Sequence, residues 1–354
     1  MRVQIVTDSW PPVVSGVVRT YQTTISYLEL FGHDVHVIHP LMFWNVPFPS
    51  DTHMRLALTT SGTMGRMIEK FRPDAIHIAS EGTLGLAARN WCVKRKIPFT
   101  TSYTTKLPEY MQARTGVPAG FGYPIMRWFH GPSAAVMAST DTLKRELESH
   151  GFTNIVRWSR GVDAELFRPR EKDFLDAPRP IFMYSGRVAR EKNIEAFLNL
   201  NLAGTKYVVG DGPQLAQLTK AYPQVRFVGN KHGVDLARHY AAADVFVFPS
   251  KTDTFGLVLL EAMASGVPVA AYPVPGPNDV VGNSGAGALH ENLETAARQA
   301  LAISPELCRE YALQFDWAKV AKQFISNQRP IEWRTAKPNF FKRRRVVDAK
   351  LEQN

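Results

Sequence analysis

Cysteine is scarce in this 354-residue chain: Cys92 and Cys308 are the only two, so no disulfide framework can hold it, and a reducing, cytoplasmic compartment fits. Long apolar runs are also lacking. The most hydrophobic stretch, FVFPSKTDTFGLVLLEAMASGVPVAA (246–271), is broken by Asp253, Glu261, Gly266 and Pro268, which excludes a helix crossing about 30 Å of hydrocarbon. The opening MRVQIVTDSW has no charged-then-apolar pattern, so no secretory leader is expected. A glycine-rich G-x-G-x-x-G turn does not follow the first apolar run; DSWPPVVSG does, and its prolines exclude that nicotinamide-dinucleotide fingerprint. No Asp-x-Asp motif is present either, so a bound Mg²⁺ is not required by the sequence, and no cofactor is expected.

What is present is an ordinary globular composition, 45% hydrophobic and 21% charged, with a formal charge of +10. That balance favours an anionic partner: nucleotide phosphates, an acidic lipid surface or nucleic acid. Basic residues are spread along the chain except at its end, and no nucleic-acid-binding module is seen, so nucleic acid is not expected.

Apolar runs and amphipathic segments alternate. VQIVTD, HDVHVIH, DAIHIAS (74–80), IPFTTSY (97–103) and SAAVMAST (133–140) read as strands, with helices such as VVRTYQTTISYLELFG and LGLAARNWCVKRK between them. A second series runs from IFMYSG (181–186) through KYVVGDG, QVRFVG, DVFVFPS and VPVAAYPV, again with helices between. The expectation is an α/β protein of two Rossmann-like parallel-sheet domains facing a cleft: residues 1–168 and 169–314, with FRPREKDFLDAPRP (167–180) as linker. A last helix at about 315–330 would pack back on the first domain, and 333–354 would form a basic tail.

The second half carries the chemistry. Ligands of parallel sheets gather at the carboxyl ends of the strands. SGRVAREKN sets Arg187 and Lys192 just after a strand; cations before a helix start oppose its dipole, which argues for an anion there. VGDGP supplies Gly210 and Gly212, where backbone can approach closely. SKTDTFG places Asp253 in a loop, followed by the amides of Phe255, Gly256 and Leu257 at a helix N-terminus, an anion site. Glu261 lies in that helix, and its side chain leans back toward the same end. Cations and amides suit a pyrophosphate, and the carboxylates suit the hydroxyls of two sugars.

SGRVAREKN, VVGDGP and FVFPSKTDTFGLVLLEAMASGVPV, with SGVVRT near the start and RGVDAELFRP (160–169), resemble the retaining glycosyltransferase family 4 of GT-B fold, which includes lipid glycosyltransferases. The resemblance spans about residues 1–330. It implies a nucleotide diphosphate sugar as donor, with Glu261 on the ribose and Asp253 on the transferred hexose. It also implies Arg187 and Lys192 on the diphosphate leaving group and Gly16 bringing backbone close to the reacting centre. Two departures stand out: Asp253 occupies a place where glutamate is usual, and Thr104 one where a histidine is frequent. No catalytic base is assigned.

The tail EWRTAKPNFFKRRRVV mixes Trp333, Phe340 and Phe341 with six basic residues, a mixture suited to an anionic membrane surface. The 103–130 segment is rich in aromatics and poor in charge, and reads equally as an acceptor lip or a core helix. His33, His36 and His39 are read as structural rather than metal-binding, since strand side chains alternate. The expected acceptor is a membrane lipid such as diacylglycerol, reached from the inner face of the membrane. A cell-surface polysaccharide or lipopolysaccharide acceptor, and a sugar-nucleotide epimerase on the same fold, are the alternatives.

Overall fold

Short runs, most of them apolar, form the strands of two parallel sheets in a computed structural model that describes residues 1–13, 15–48 and 51–333. In the first half these are β1 (Arg2–Val6), β2 (Asp34–Ile38), β5 (Ala75–Ile78), β6 (Thr100–Tyr103), β7 (Ala135–Ala138) and β8 (Ile155–Arg157), with a hairpin of β3 (Asn45–Phe48) and β4 (Asp51–Ala57) set apart. The hairpin was not legible as strands in the sequence. The helices of this half are α1 (Gly16–Leu30), α2 (Ser61–Phe71), α3 (Thr83–Arg95), α4 (Leu107–Thr115), α5 (Tyr123–His130) and α6 (Asp141–Ser149). The second half holds β9 (Ile181–Ser185), β10 (Thr205–Val209), β11 (Arg226–Phe227), β12 (Val245–Phe248), β13 (Val269–Ala271) and β14 (Gly287–Leu289). Its helices are α7 (Ile194–Leu198), α8 (Leu215–Ala221), α9 (Gly233–Ala242), α10 (Leu257–Ala264), α11 (Pro277–Val280), α12 (Leu293–Ala300) and α13 (Pro305–Ala312), and α14 (Trp317–Ser326) ends the described helices.

Strand order is β2-β1-β5-β6-β7-β8 in one sheet and β11-β10-β9-β12-β13-β14 in the other, every neighbour parallel. Each order reverses direction once, between β1 and β5 and between β9 and β12. At such a switch point the connections leave to opposite faces and open a crevice at the strand ends, where ligands bind. Strands buried on both faces need apolar residues at successive positions. VFVF in β12 and IFMYS in β9 meet that requirement, and every residue of both is buried.

Residues 167–180, with the segment before them, are less of a free linker than their charge and proline content imply. Val162 and Phe167 are buried in the second half's core, with Leu175 and Ala177 packed on it. Lys172 and Arg179 both reach Asp244, which also accepts from the Ile181 amide at 2.7 Å. The hydrophobic anchors are spaced too irregularly to read as periodicity. Helix α14 packs into the first half, where Trp317, Val320, Ala321 and Phe324 share a core with Val3, Tyr21 and Trp158. The chain continues along that half to Trp333, whose indole N–H donates to the Pro73 carbonyl at 2.7 Å beside Trp91. Trp333 is therefore a docking residue of the first half, not part of a tail; residues 334–354, with the basic cluster, lie outside the described residues. Among the described residues no helix is long and apolar enough to cross a membrane.

His36 and His39 go to separate neighbours. His36 Nδ1 lies 3.1 Å from Gln4 Oε1 and its ring sits against Phe71, while His39 stacks on Trp10.

Candidate active site

The switch point of the second sheet gathers the charged residues. β9 ends at Ser185 and leads through Gly186 to Arg187, then into a single 3₁₀ turn, Arg190–Lys192. Asn193 closes that turn with a left-handed backbone (φ 53°), its side-chain amide donating to the Pro249 carbonyl at 3.0 Å. The turn is thereby fixed against the segment leaving β12, which carries Asp253. Lys192 Nζ meets Asp253 Oδ1 at 2.6 Å. Burial opposes the charge on Lys192, but Asp253, Tyr110 and Glu191 outweigh it and hold the ammonium above the ordinary lysine range. Burial likewise opposes the Asp253 carboxylate, and Lys192, by charge and by hydrogen bond, holds it below its usual range. Arg187 stands 3.8 Å from Glu191.

Gly210 and Gly212 serve this arrangement through the protein's own backbone. A Cβ on Gly210 would lie 1.9 Å from the Gly186 carbonyl oxygen, and one on Gly212 would lie 2.3 Å from that of Val188. The Gly186 amide donates to Val209 O and that of Val188 to Asp211 O. The glycine turn is thus the bed on which the Arg187 loop lies.

Helix α10 starts beside Asp253. Its N-cap, Gly256, has φ 86° and offers no side chain to the first-turn amides, so the start at Leu257 is left for an external acceptor. Phe255 turns its ring into the core, against Phe315. Glu261, one turn into α10, is buried. One oxygen of each acid lacks a hydrogen-bond partner at normal distance: Glu261 Oε2, beside the Tyr240 hydroxyl, and Asp253 Oδ2, beside that of Ser250. Buried carboxylate oxygens without donors are costly, and sugar hydroxyls would satisfy both.

The first half meets this site at three places. Gly16 begins α1, whose N-cap Ser15 accepts from Val18 N, and a Cβ at Gly16 would sit 3.7 Å from Leu257 Cδ1. The starts of α1 and α10 therefore face each other. Arg19, one turn into α1, forms an ion pair with Glu261 across the cleft. The Thr254 hydroxyl donates to the Thr104 carbonyl at 2.9 Å, and the Thr254 carbonyl accepts from Ser139 at 3.0 Å. The segment that lacks the histidine is thus bound to the residue after Asp253. From α4, Tyr110 lies in the electrostatic environment of Lys192, Asp253, Glu191 and Arg187. Arg187, Lys192, Asp253, Glu261, the α10 start and Gly16 converge on one cleft. Arg19, Thr254, Tyr240 and Tyr110 join them, and sequence reasoning passed over all four. Arg19 alone left a signal, being one helical turn from Gly16 in SGVVRT.

Two Rossmann-like halves facing one another over cations, helix starts and paired acids define a GT-B glycosyltransferase. Residues 14–166 match the model of Glycosyltransferase Family 4, and residues 179–304 that of Glycosyl transferases group 1. The chain is 31% identical to a GDP-mannose-dependent alpha-mannosyltransferase of Mycobacterium tuberculosis, over 79% of its own length and 81% of the relative's. It is 27% identical to an alpha-monoglucosyldiacylglycerol synthase of Streptococcus pneumoniae, covering 87% and 80%. Among solved structures, sucrose-phosphate synthase from Thermosynechococcus elongatus superposes with a TM-score of 0.73 at 20% identity, over 92% of this chain and 97% of that one, and shows the shared fold. The chain belongs to glycosyltransferase family 4 and is a nucleotide-sugar-dependent glycosyltransferase.

Proposed function

We propose that this enzyme transfers a hexose, with retention of anomeric configuration, from a nucleotide diphosphate sugar to a hydroxyl of a membrane lipid such as diacylglycerol. The observation that carries the donor half of this reading is the Lys192–Asp253 and Glu261 cluster at the α10 start, where each acid keeps an oxygen without a donor. Glu261 takes the ribose hydroxyls and Asp253 those of the hexose. Arg187, Lys192 and the α10 amides neutralise the diphosphate as the sugar C1–O bond breaks, without a metal ion. The new bond forms from the acceptor oxygen to C1, and the acceptor proton passes to the departing phosphate oxygen.

The acceptor half of the reading rests on α4 and α5. Tyr110 on α4 faces the donor cluster. On α5, Tyr123, Met126 and Phe129 are buried, and the opposite face exposes Ile125 (59%) and Trp128 (55%) next to Phe121 (72%). Monomeric proteins seldom leave such a stripe bare. Arg89 packs under Trp128, and the basic end of α3, Lys94 to Lys96, is exposed, which suits an anionic bilayer at the cytoplasmic face. A lipid could then enter along the unit that also touches the donor.

The test is a product assay with UDP- and GDP-sugars and vesicles holding diacylglycerol and anionic lipid, with EDTA and a Glu261→Ala control. An EDTA-resistant glycolipid of retained configuration, absent in the variant, is expected. Donor turnover only with saccharide acceptors would move the acceptor to a polysaccharide or lipopolysaccharide. Conversion of the nucleotide sugar with no acceptor at all would point to an epimerase.

A further inference from the structure

Both acids assigned to the sugar hydroxyls are ion-paired, and one of the two pairs joins the two halves. Lys192 and Asp253 belong to the same half, whereas Arg19 reaches from α1 to Glu261 in α10. The partners are unequal. The Glu261 side chain is 5% exposed, so it cannot leave and must always be compensated; Arg19 is 41% exposed and can swing on a long side chain. The carboxylate that the proposed function gives to the ribose is therefore already paired with Arg19.

Ribose hydroxyls can supply hydrogen bonds to Glu261, whose Oε2 has no partner and whose neighbour is the Tyr240 hydroxyl. They cannot supply a positive charge, so Arg19 leaves only if it gains another anion. The diphosphate is that anion. Glu261 lies one turn beyond the α10 start and leans back toward it, so the Arg19 guanidinium paired with it lies toward the amides assigned to the phosphates. The α1 start, Gly16, faces the same point through Leu257.

We propose that Arg19 is a third diphosphate-binding cation, released from Glu261 when the ribose takes that carboxylate. The proposal rests on the ribose role of Glu261. Donor binding then exchanges partners: both cations pass from carboxylates to phosphates, and both carboxylates pass from cations to hydroxyls. Arg19 comes from the acceptor half, so the diphosphate replaces Glu261 as the group that Arg19 holds across the cleft. A nucleoside without phosphates would have to break the Arg19–Glu261 pair with nothing in return, and should bind weakly for that reason.

Calorimetric titration of the full chain with GDP and guanosine, and with UDP and uridine, tests this. The readout is the ratio of nucleoside to diphosphate dissociation constants for whichever base binds. In Arg19→Met the ratio should fall about ten-fold or more, because diphosphate affinity drops while nucleoside affinity holds or rises. Arg19→Lys should restore part of it. An unchanged ratio in Arg19→Met overturns the proposal, even if both affinities change together. If Arg19→Met folds poorly with Glu261 unpaired, the double variant Arg19→Met, Glu261→Gln is compared with Glu261→Gln alone, where the same fall is required. The ribose reading fails separately: it falls if Glu261→Gln leaves nucleoside affinity unchanged.

Discussion

The two halves have nearly the same sheet order but finish their strand ends with different materials. In the second half, backbone does the work. Ten of the thirteen glycines with left-handed φ among the described residues lie there, from Gly186 to Gly285, against three in the first half. They let loops nest backbone on backbone and leave helix starts bare. In the first half, side chains do it. His77 is buried with Nδ1 2.8 Å from the Thr100 hydroxyl and Nε2 2.8 Å from that of Tyr21. Tyr21 meets Ser102, and Thr100 donates to Gln328 beyond α14. A diphosphate is the same in every donor and is recognised by amides and fixed charges, so the half assigned to it is built from backbone and carries a local sequence pattern. An acceptor varies, and the half assigned to it is held by a polar network with no such pattern.

The largest expected effect falls on the donor cluster. Glu261→Ala should lower kcat/KM by about 10³-fold, as loss of one preorganised charged contact commonly does. The counterpart in the first half is Asp8, a half-buried acid. It accepts from the Leu84 and Gly85 amides and the Ser80 hydroxyl, fastening β1 to the start of α3. Asp8→Asn should cost stability, about 1–3 kcal/mol, with activity per folded molecule largely kept. Steady-state kinetics beside urea unfolding separates the two. Equal activity losses would erase the distinction between a functional and a structural acid.

Next in size is the backbone itself. Gly210→Ala places a methyl 1.9 Å from a carbonyl oxygen at φ 145°, so it should cost upwards of about 3 kcal/mol. Gly116→Ala, at the α4 C-terminus with φ 78° and open space around it, should cost only about 1 kcal/mol. Similar unfolding midpoints for the two variants would refute the claim that the second half depends on close backbone approach.

The same contrast explains what the sequence reveals. Arg187, Lys192, Asp253 and Glu261 are legible because strand-end loops and one helical turn place them by local geometry alone. Gly210 and Gly212 are legible as close-approach positions, though not which backbone approaches: it is the Arg187 loop. Arg19 is paired with a residue 242 positions away, and Tyr110 depends on how α4 enters the cleft. Arg19 shares a helical turn with Gly16, but neither its pairing nor the place of Tyr110 follows from a local period. The 103–130 segment was ambiguous because α5 is apolar on both faces, and only packing distinguishes Met126 from Ile125.

Acid should loosen the halves in order. Burial, aided by the nearby Arg160 charge, holds the His77 imidazole down at about 3, so it stays neutral in the folded protein. The unfolded chain takes up that proton near pH 6.5. Between pH 6.5 and about 3 the unfolded state therefore binds more protons, and stability falls as pH falls, by up to several kcal/mol. The depressed carboxyl of Asp253 keeps its contribution above about pH 3.8 and loses it only as pH drops through its own lower value. At pH 5 hydrogen exchange should quicken in β5 and β6 before β9 and β12, and His77→Gln should flatten that dependence. Uniform loosening would mean that the network is not the acid-sensitive element.

The smallest effect concerns the outer surface and divides the halves again. Phe121, Ile125 and Trp128 form one exposed stripe, whereas Val234, Leu301 and Leu313, exposed in the second half, belong to α9 and to the ends of α12 and α13. Partial insertion of three large side chains contributes roughly 1 kcal/mol each, less than full burial would. Trp128→Ser alone should weaken sedimentation with anionic vesicles only several-fold, and Leu301→Ser should change nothing. Neither should alter the affinity for GDP or UDP, since both positions lie outside the donor cluster. If Trp128→Ser left vesicle binding intact while glycolipid formation fell, the stripe would be a channel for the acceptor rather than a foot on the membrane. The acceptor half would then differ from the donor half in what it binds, and not in where it stands.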